Sequence, residues 1–147
     1  MTSGFPDWSQ SLGPGRSGFA RSYSDYVENT SNANTEQTLK SITGKGVLNQ
    51  ITINIATNAV TSAVLRVYVD GESSPSFFID GDSLISVLGV SSTVETPFWG
   101  IPYNAAGSFT MYIKLDIRFN VSLSIRVLPN TANQQNIYSL IQYLLFT

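Results

Sequence analysis

From Phe109 to Val127 every odd-numbered residue is apolar: Phe109, Met111, Ile113, Leu115, Ile117, Phe119, Val121, Leu123, Ile125 and Val127. The even positions, Tyr112 apart, are Thr, Lys, Asp, Arg, Asn and Ser. Alternation with period two marks a strand with one dry and one wet face. A single straight strand of this length would run roughly 60 Å at about 3.3 Å per residue, several times the usual strand, so the chain has to turn or bend inside it. Arg118-Phe119-Asn120-Val121 is the expected place, because Asn120 is the residue there that tolerates a left-handed conformation. A two-residue hairpin loop would exchange the odd and even faces. The preserved parity calls instead for an irregular turn, or for a strand that bends from one sheet to another.

The remaining apolar positions predict shorter strands separated by turn residues. Gln37 to Thr43 is a short strand ended by Gly44-Lys45-Gly46, and Val47 to Thr57 follows with Val47, Asn49, Ile51, Ile53 and Ile55 on one side. Ala63 to Asp70 places Leu65, Val67 and Val69 inward and Arg66, Tyr68 and Asp70 outward, and Asp70-Gly71 is a strong turn signal before a return strand at Pro75 to Ile79. After the turn Asp80-Gly81-Asp82, Ser83 to Leu88 reads as a short strand or a turn of helix, and Thr93 to Trp99 as a strand ended by Gly100-Ile101-Pro102. These make about eight or nine strands at spacings of roughly ten residues, the pattern of a β-sandwich or barrel. The long alternation and an apolar terminal strand favour an all-β, two-sheet, jelly-roll-like sandwich over a closed meander.

That terminal strand, Ile137 to Phe146, is apolar on both parities apart from Ser139 and Gln142. Ile137, Ile141, Tyr143 and Leu145 point one way, and Tyr138, Leu140, Leu144 and Phe146 the other. It must be covered on both faces, or on one face by another subunit. Tyr138, Leu140, Ile141, Leu144 and Phe146 are therefore the expected oligomer contacts. The competing account folds the N-terminal residues back over this strand.

Residues 1 to 35 differ from everything after them. Gly4, Gly13, Gly15, Gly18, Pro6 and Pro14 interrupt them, and no period is sustained. Yet Phe5, Trp8, Leu12, Phe19, Tyr23 and Tyr26 are spaced along them, and disordered tails usually lack aromatics. The expected organisation is an extended arm over residues 1–35, whose large side chains dock on the body or a neighbour, and a sandwich domain over 36–147. A loose tail with incidental aromatics is the alternative.

Composition narrows the chemistry. At 147 residues the chain fits one domain with a real core. It contains neither cysteine nor histidine, so disulfides, thiolate metal sites, the commonest general base and the commonest metal ligand are all missing. The expectation is a protein that is not an enzyme and carries no cofactor. Charged residues are 12% of the chain, against about 25% in typical soluble domains, so few charges repel neighbours at the surface. The basic residues are scattered, which argues against nucleic acid, and no apolar run reaches the ~18 residues of a membrane helix. The opening MTSGFPDWSQ lacks the order of a signal peptide, so the mature chain is expected to begin there.

Several groups remain open between two readings. The acidic turns at Asp70-Gly71-Glu72 and Asp80-Gly81-Asp82 would lie at opposite ends of a hairpin, roughly 20 Å apart, too far to share a calcium ion or to form a glycosidase pair. Trp99 and Tyr103, with Phe98 between Pro97 and Trp99, make either a platform for a glycan or a plug at the end of the sandwich. Tyr112, Lys114, Asp116 and Arg118 make either an intersubunit patch or a solvated face. Sequons at Asn29 and Asn120 matter only in a secreted eukaryotic chain.

Four short stretches resemble small virion structural proteins of tailed bacteriophages. They are Gly4-Phe5-Pro6-Asp7-Trp8, Thr43-Gly44-Lys45-Gly46-Val47-Leu48, Leu65-Arg66-Val67-Tyr68-Val69-Asp70-Gly71, and Ile117-Arg118-Phe119-Asn120 followed by Ser122-Leu123. The resemblance implies a β-sandwich module in head decoration, a head or collar fibre, or a tail tip. It further implies a virion location, a structural role, homo-oligomers that are often trimers, and virion partners such as the major capsid or tail protein. It carries over no catalytic residue. The alternative it leaves is a receptor- or glycan-binding module of a tail or fibre.

Overall fold

The computed structural model describes residues 20–31, 34–56, 63–80, 94–105, 108–129 and 135–147. Ten strands follow in order: β1 (Ala20–Ser31), β2 (Gln37–Thr43), β3 (Lys45–Ala56), β4 (Ala63–Val69), β5 (Phe77–Asp80), β6 (Val94–Glu95), β7 (Trp99–Ala105), β8 (Ser108–Phe119), β9 (Ser122–Pro129) and β10 (Gln135–Phe146). They form two antiparallel sheets, β1-β10-β3-β8-β7-β6 and β2-β9-β4-β5. With the short β6–β7 hairpin set aside, the interleaving of early and late strands in both sheets is that of a jelly roll, as expected. The inner faces supply the core, including Leu48, Ile51, Ile53, Ile55, Leu65, Val67, Met111, Phe119, Leu123, Ile125, Val127, Ile137 and Ile141.

The long alternating stretch does cross between sheets. β8 lies in the six-stranded sheet and β9 in the four-stranded one, with odd residues inward in both and Val121 exposed at the crossing. Asn120 does not adopt the left-handed conformation expected of it. Asp70 does, at φ 52°, and its carboxylate accepts the backbone N–H groups of Asn120, Val121 and Ser122 at 3.0, 2.7 and 3.0 Å. These bonds hold the Asp70 carboxyl below its ordinary range. The corner is also tied by Asp70 N–H to the Ser122 carbonyl and by Gly44 N–H to the Val121 carbonyl, both at 2.8 Å. Gly44, at φ 125°, is the single residue between β2 and β3, so it makes another tight crossing between the sheets.

Four further expectations change. In β3 a bulge near Asn49 shifts the register, so that Leu48 rather than Asn49 enters the core. Asp70-Gly71 does turn the chain, with Glu72 N–H bonded to the Val69 carbonyl at 3.0 Å, but the return strand begins at Phe77 and not at Pro75. Gly100, Ile101 and Pro102 lie within β7 and do not end a strand. Part of the expected arm, residues 20–31, is a sheet strand: β1 pairs with β10 from Ala20↔Phe146 to Ser31↔Gln135. Its half-buried residues Tyr23, Asp25, Val27 and Asn29 alternate with exposed ones, a period obscured in the sequence by the polar residues on both faces. The Ser83 to Leu88 segment lies outside the described residues.

Candidate functional site

β10 is flanked by β1 on one side and β3 on the other, so its backbone is fully paired and only its two faces remain to be accounted for. The inner face settles in the core: Ile137 and Ile141 are fully buried, as is Ser139, whose hydroxyl donates to the Val27 carbonyl at 3.4 Å. Tyr143 stacks on Tyr23 with ring centroids 5.1 Å apart and an interplanar angle of 9°. Its hydroxyl donates to Asp25 at 2.8 Å, and the same carboxylate meets Lys40 of β2 at 2.9 Å. The hydrogen bonds from Lys40 and then Tyr143 hold the Asp25 carboxyl below its usual range, while burial and then the Asp25 hydrogen bond push the Tyr143 phenol up to about 12. This group clamps β1 to both sheets, aided by a bond from the Asn29 amide to the Thr38 carbonyl at 3.3 Å.

The outer face of the same strand pair is different. Tyr26 stacks on Tyr138, with centroids 6.5 Å apart, and stays 64% exposed; Leu140 is 37% and Phe146 40% exposed. Register places Tyr26 opposite Leu140 and Ser22 opposite Leu144, so the apolar side chains run as one stripe across β1 and β10. The N-terminal strand thus lies beside β10 and not over it, and no described residue covers the stripe. Large adjoining apolar groups at a surface are what interaction sites present.

The expected contacts divide accordingly. Tyr26, Tyr138, Leu140, Leu144 and Phe146 meet on the outer face, whereas Ile141 and Tyr23 point inward, so neither is available to a neighbour. Phe5, Trp8, Leu12 and Phe19 lie outside the described residues. Trp99 is half-buried against the core, in a turn where the Thr96 hydroxyl donates to the Trp99 carbonyl at 2.6 Å. Tyr103 pairs with Thr110 through its backbone, and its side chain lies outside the described set. Phe98 is the exposed aromatic of that loop, at 70%. On β8, Lys114, Asp116 and Arg118 are exposed, and the half-buried Tyr112 donates its hydroxyl to the Thr96 carbonyl at 2.8 Å. Among the described residues, no group of three or more acidic side chains is placed to hold a metal ion.

The four-stranded sheet turns a charged face to solvent that the sequence reading did not single out. Arg66 of β4 and Arg126 of β9 are direct cross-strand neighbours, an arrangement of like charges that is unfavourable by itself. Glu36 resolves it, meeting Arg66 at 2.7 Å and Arg126 at 3.4 Å, while the Arg126 guanidinium lies 4.3 Å above the Tyr68 ring. The available signal was the outward parity of Arg66, Tyr68 and Arg126, but only the pairing of β4 with β9 brings them together.

No protein-family model matches the chain, and no curated protein matches it. Among solved structures, it is similar to a chain of the capsid asymmetric unit of cyanophage Pam1, at 13% identity and a TM-score of 0.46, over 86% of each chain. A chain of the acid-stable capsid of Helicobacter pylori bacteriophage KHP30 is similar at 11% identity and a TM-score of 0.48, over 88% of this chain and 98% of that one. A Bacillus endospore appendage, described as a disulfide-linked pilus, is similar at 13% identity and a TM-score of 0.37, over 87% of this chain and 90% of that one.

Proposed function

We propose that this chain is a structural component of a bacteriophage virion, an exterior capsid decoration or cementing protein or a head or collar component, that assembles as a homo-oligomer. The observation that carries the reading is the stripe of exposed Tyr26, Leu140 and Phe146 and half-buried Tyr138 and Leu144, uncovered by any described residue, on a strand pair tied down from below. A rigid, apolar, low-charge surface loses little order on association, which is what an assembly contact requires. The virion assignment is supported by the sequence resemblance, and a non-enzymatic role by the lack of histidine and cysteine. Symmetry makes such a patch meet its own copy or a complementary surface in a closed ring; three subunits is the first choice by family analogy, two the next. Residues 1–19, with Phe5, Trp8, Leu12 and Phe19, would then reach from the β1 end of the stripe to a neighbour or to the major capsid or tail protein.

Equilibrium sedimentation of the full chain at micromolar concentration, beside a Leu140→Lys, Leu144→Lys double variant, tests the oligomer. The wild type should associate and the double variant should remain a folded monomer. A wild type that is monomeric throughout sinks the oligomer. Localisation of the labelled chain on intact particles tests the virion assignment separately.

A further inference from the structure

The solvent face of the four-stranded sheet carries a groove of about 200 Å³ that none of the preceding functions uses. It opens where β2, β9 and the end of β4 meet, under the loop that begins at Asp70, and Tyr68, Arg126, Glu72, Ser41, Thr43 and Ser124 line it. Asp70 and Gly71, at φ 52° and 80°, turn that loop over the groove, and Glu72 N–H bonds the Val69 carbonyl at 3.0 Å. The walls are held in place before any ligand arrives. Arg126 is fixed by Glu36 at 3.4 Å, by the Ser124 hydroxyl at 3.3 Å and by its stack on Tyr68 at 4.3 Å. The Glu72 carboxylate is oriented by the Ser76 hydroxyl.

The composition of the lining selects among ligands. A phosphate or carboxylate would be drawn to Arg126 but repelled by Glu72, and a cation would meet the opposite pair of forces. An apolar ligand would strand the lining hydroxyls. A neutral polyol suits the polar part of the lining: its hydroxyls can donate to Glu72, accept from Arg126, and do both with Ser41, Thr43 and Ser124, while its C–H side can lie on the part-exposed Arg126 guanidinium that the Tyr68 ring backs, beside the apolar Ile42 and Leu123. The volume is below the roughly 300 to 1,000 Å³ of sites for drug-sized ligands, which limits the occupant to about one ring.

From this we infer that the groove is a binding site for a single neutral sugar ring, recognised by the Tyr68–Arg126 stack and the Glu72 carboxylate. It lies on the opposite side of the sandwich from the β1–β10 stripe, so association through the stripe leaves it open. In an oligomer, repeated copies of a weak site would hold a polysaccharide through avidity. The site is distinct from the Trp99 and Tyr103 pair.

The test is an amide NMR titration of the full chain with glucose, galactose, N-acetylglucosamine and rhamnose, each to millimolar concentration. At least one should give saturable shifts centred on Tyr68, Glu72, Ser124 and Arg126. Glu72→Gln, which keeps shape and removes charge, should weaken that binding about tenfold with an unchanged melting temperature, and Tyr68→Ala should weaken it at least as much. No saturable shift with any of the four sugars, shifts centred on Phe98 and Trp99 instead, or shifts that Glu72→Gln leaves unaltered would each overturn the proposal.

Discussion

The two outer faces of the sandwich solve the problem of solvent exposure in opposite ways. On the four-stranded sheet, the polar groups have partners within the chain: Arg66 and Arg126 share Glu36, and Arg126 covers Tyr68. On the β1–β10 side of the six-stranded sheet, the large side chains have only each other among the described residues, and Tyr26, Leu140 and Phe146 are exposed. The first face satisfies its charges with its own residues, with Phe78 of β5 its one large apolar side chain left exposed among the described residues. On the second, no described residue covers the apolar groups, and the contrast is sharpest within β10, where Ile141 is fully buried one residue from an exposed Leu140.

The largest expected effect tests that inner and outer boundary. Ile141→Asp should cost on the order of 3–5 kcal/mol, since it leaves an uncompensated charge in the core, and urea unfolding should show a domain near the edge of folding. Equal stability of Ile141→Asp and Leu140→Asp would mean that the faces of β10 are misassigned.

Next comes pH. The Asp25 and Asp70 carboxyls both lie below their ordinary range in the folded state, so the stability they add is complete above about pH 4 and is lost as pH falls through their lowered values. Tyr143 works in the opposite sense: its contribution is complete below the ordinary phenol value near 10 and is lost as pH rises through about 12. Thermal melts should therefore decline at both ends of the pH scale. In Asp25→Phe and Tyr143→Phe the respective acid and alkaline declines should shrink, and unchanged profiles would mean that the clamp under the stripe contributes nothing.

Smaller effects separate the outer faces themselves. Glu36→Gln leaves two arginines opposed and should cost about 0.2–1 kcal/mol in the melt, relieved by added salt, because these groups are partly exposed. Leu140→Lys should change the stability of the folded subunit by no more than about 0.5 kcal/mol. Its proposed effect is on sedimentation alone, and a large loss of stability would place Leu140 in the subunit's own packing.

The sequence was readable where a strand had one dry and one wet face. The Phe109 to Val127 alternation located β8 and β9 and anticipated their passage between sheets, because parity is a local property. What bends the chain there was not local: Asp70, some fifty residues away, supplies the bonds that Asn120 was expected to make unnecessary. β1 was missed for a related reason. Its inward residues are Tyr23, Asp25, Val27 and Asn29, and Asp25 becomes an inner residue only because Lys40 and Tyr143 meet it. In β3 the bulge exchanged Asn49 for Leu48, which no period count detects. The stripe was half legible: apolar residues on both parities marked a second apolar face, but pairing with β1 was needed to show which of them no described residue covers.

The position of β10 between β1 and β3 also orders events in time. Asp25 and Tyr143, which hold the first strand down, are 118 residues apart, and every pairing in that half of the sheet joins distant parts of the chain. Such contacts are slow to form because the loops they close must first lose their freedom. Until β10 arrives, β1 has no partner in its sheet and β3 shows a bare edge. A chain cut short before Gln135 would therefore leave β1 unpaired and the β3 edge open, prone to pair with strangers, whereas completion of this one strand pairs β1, closes the β3 edge and raises the stripe in the same step.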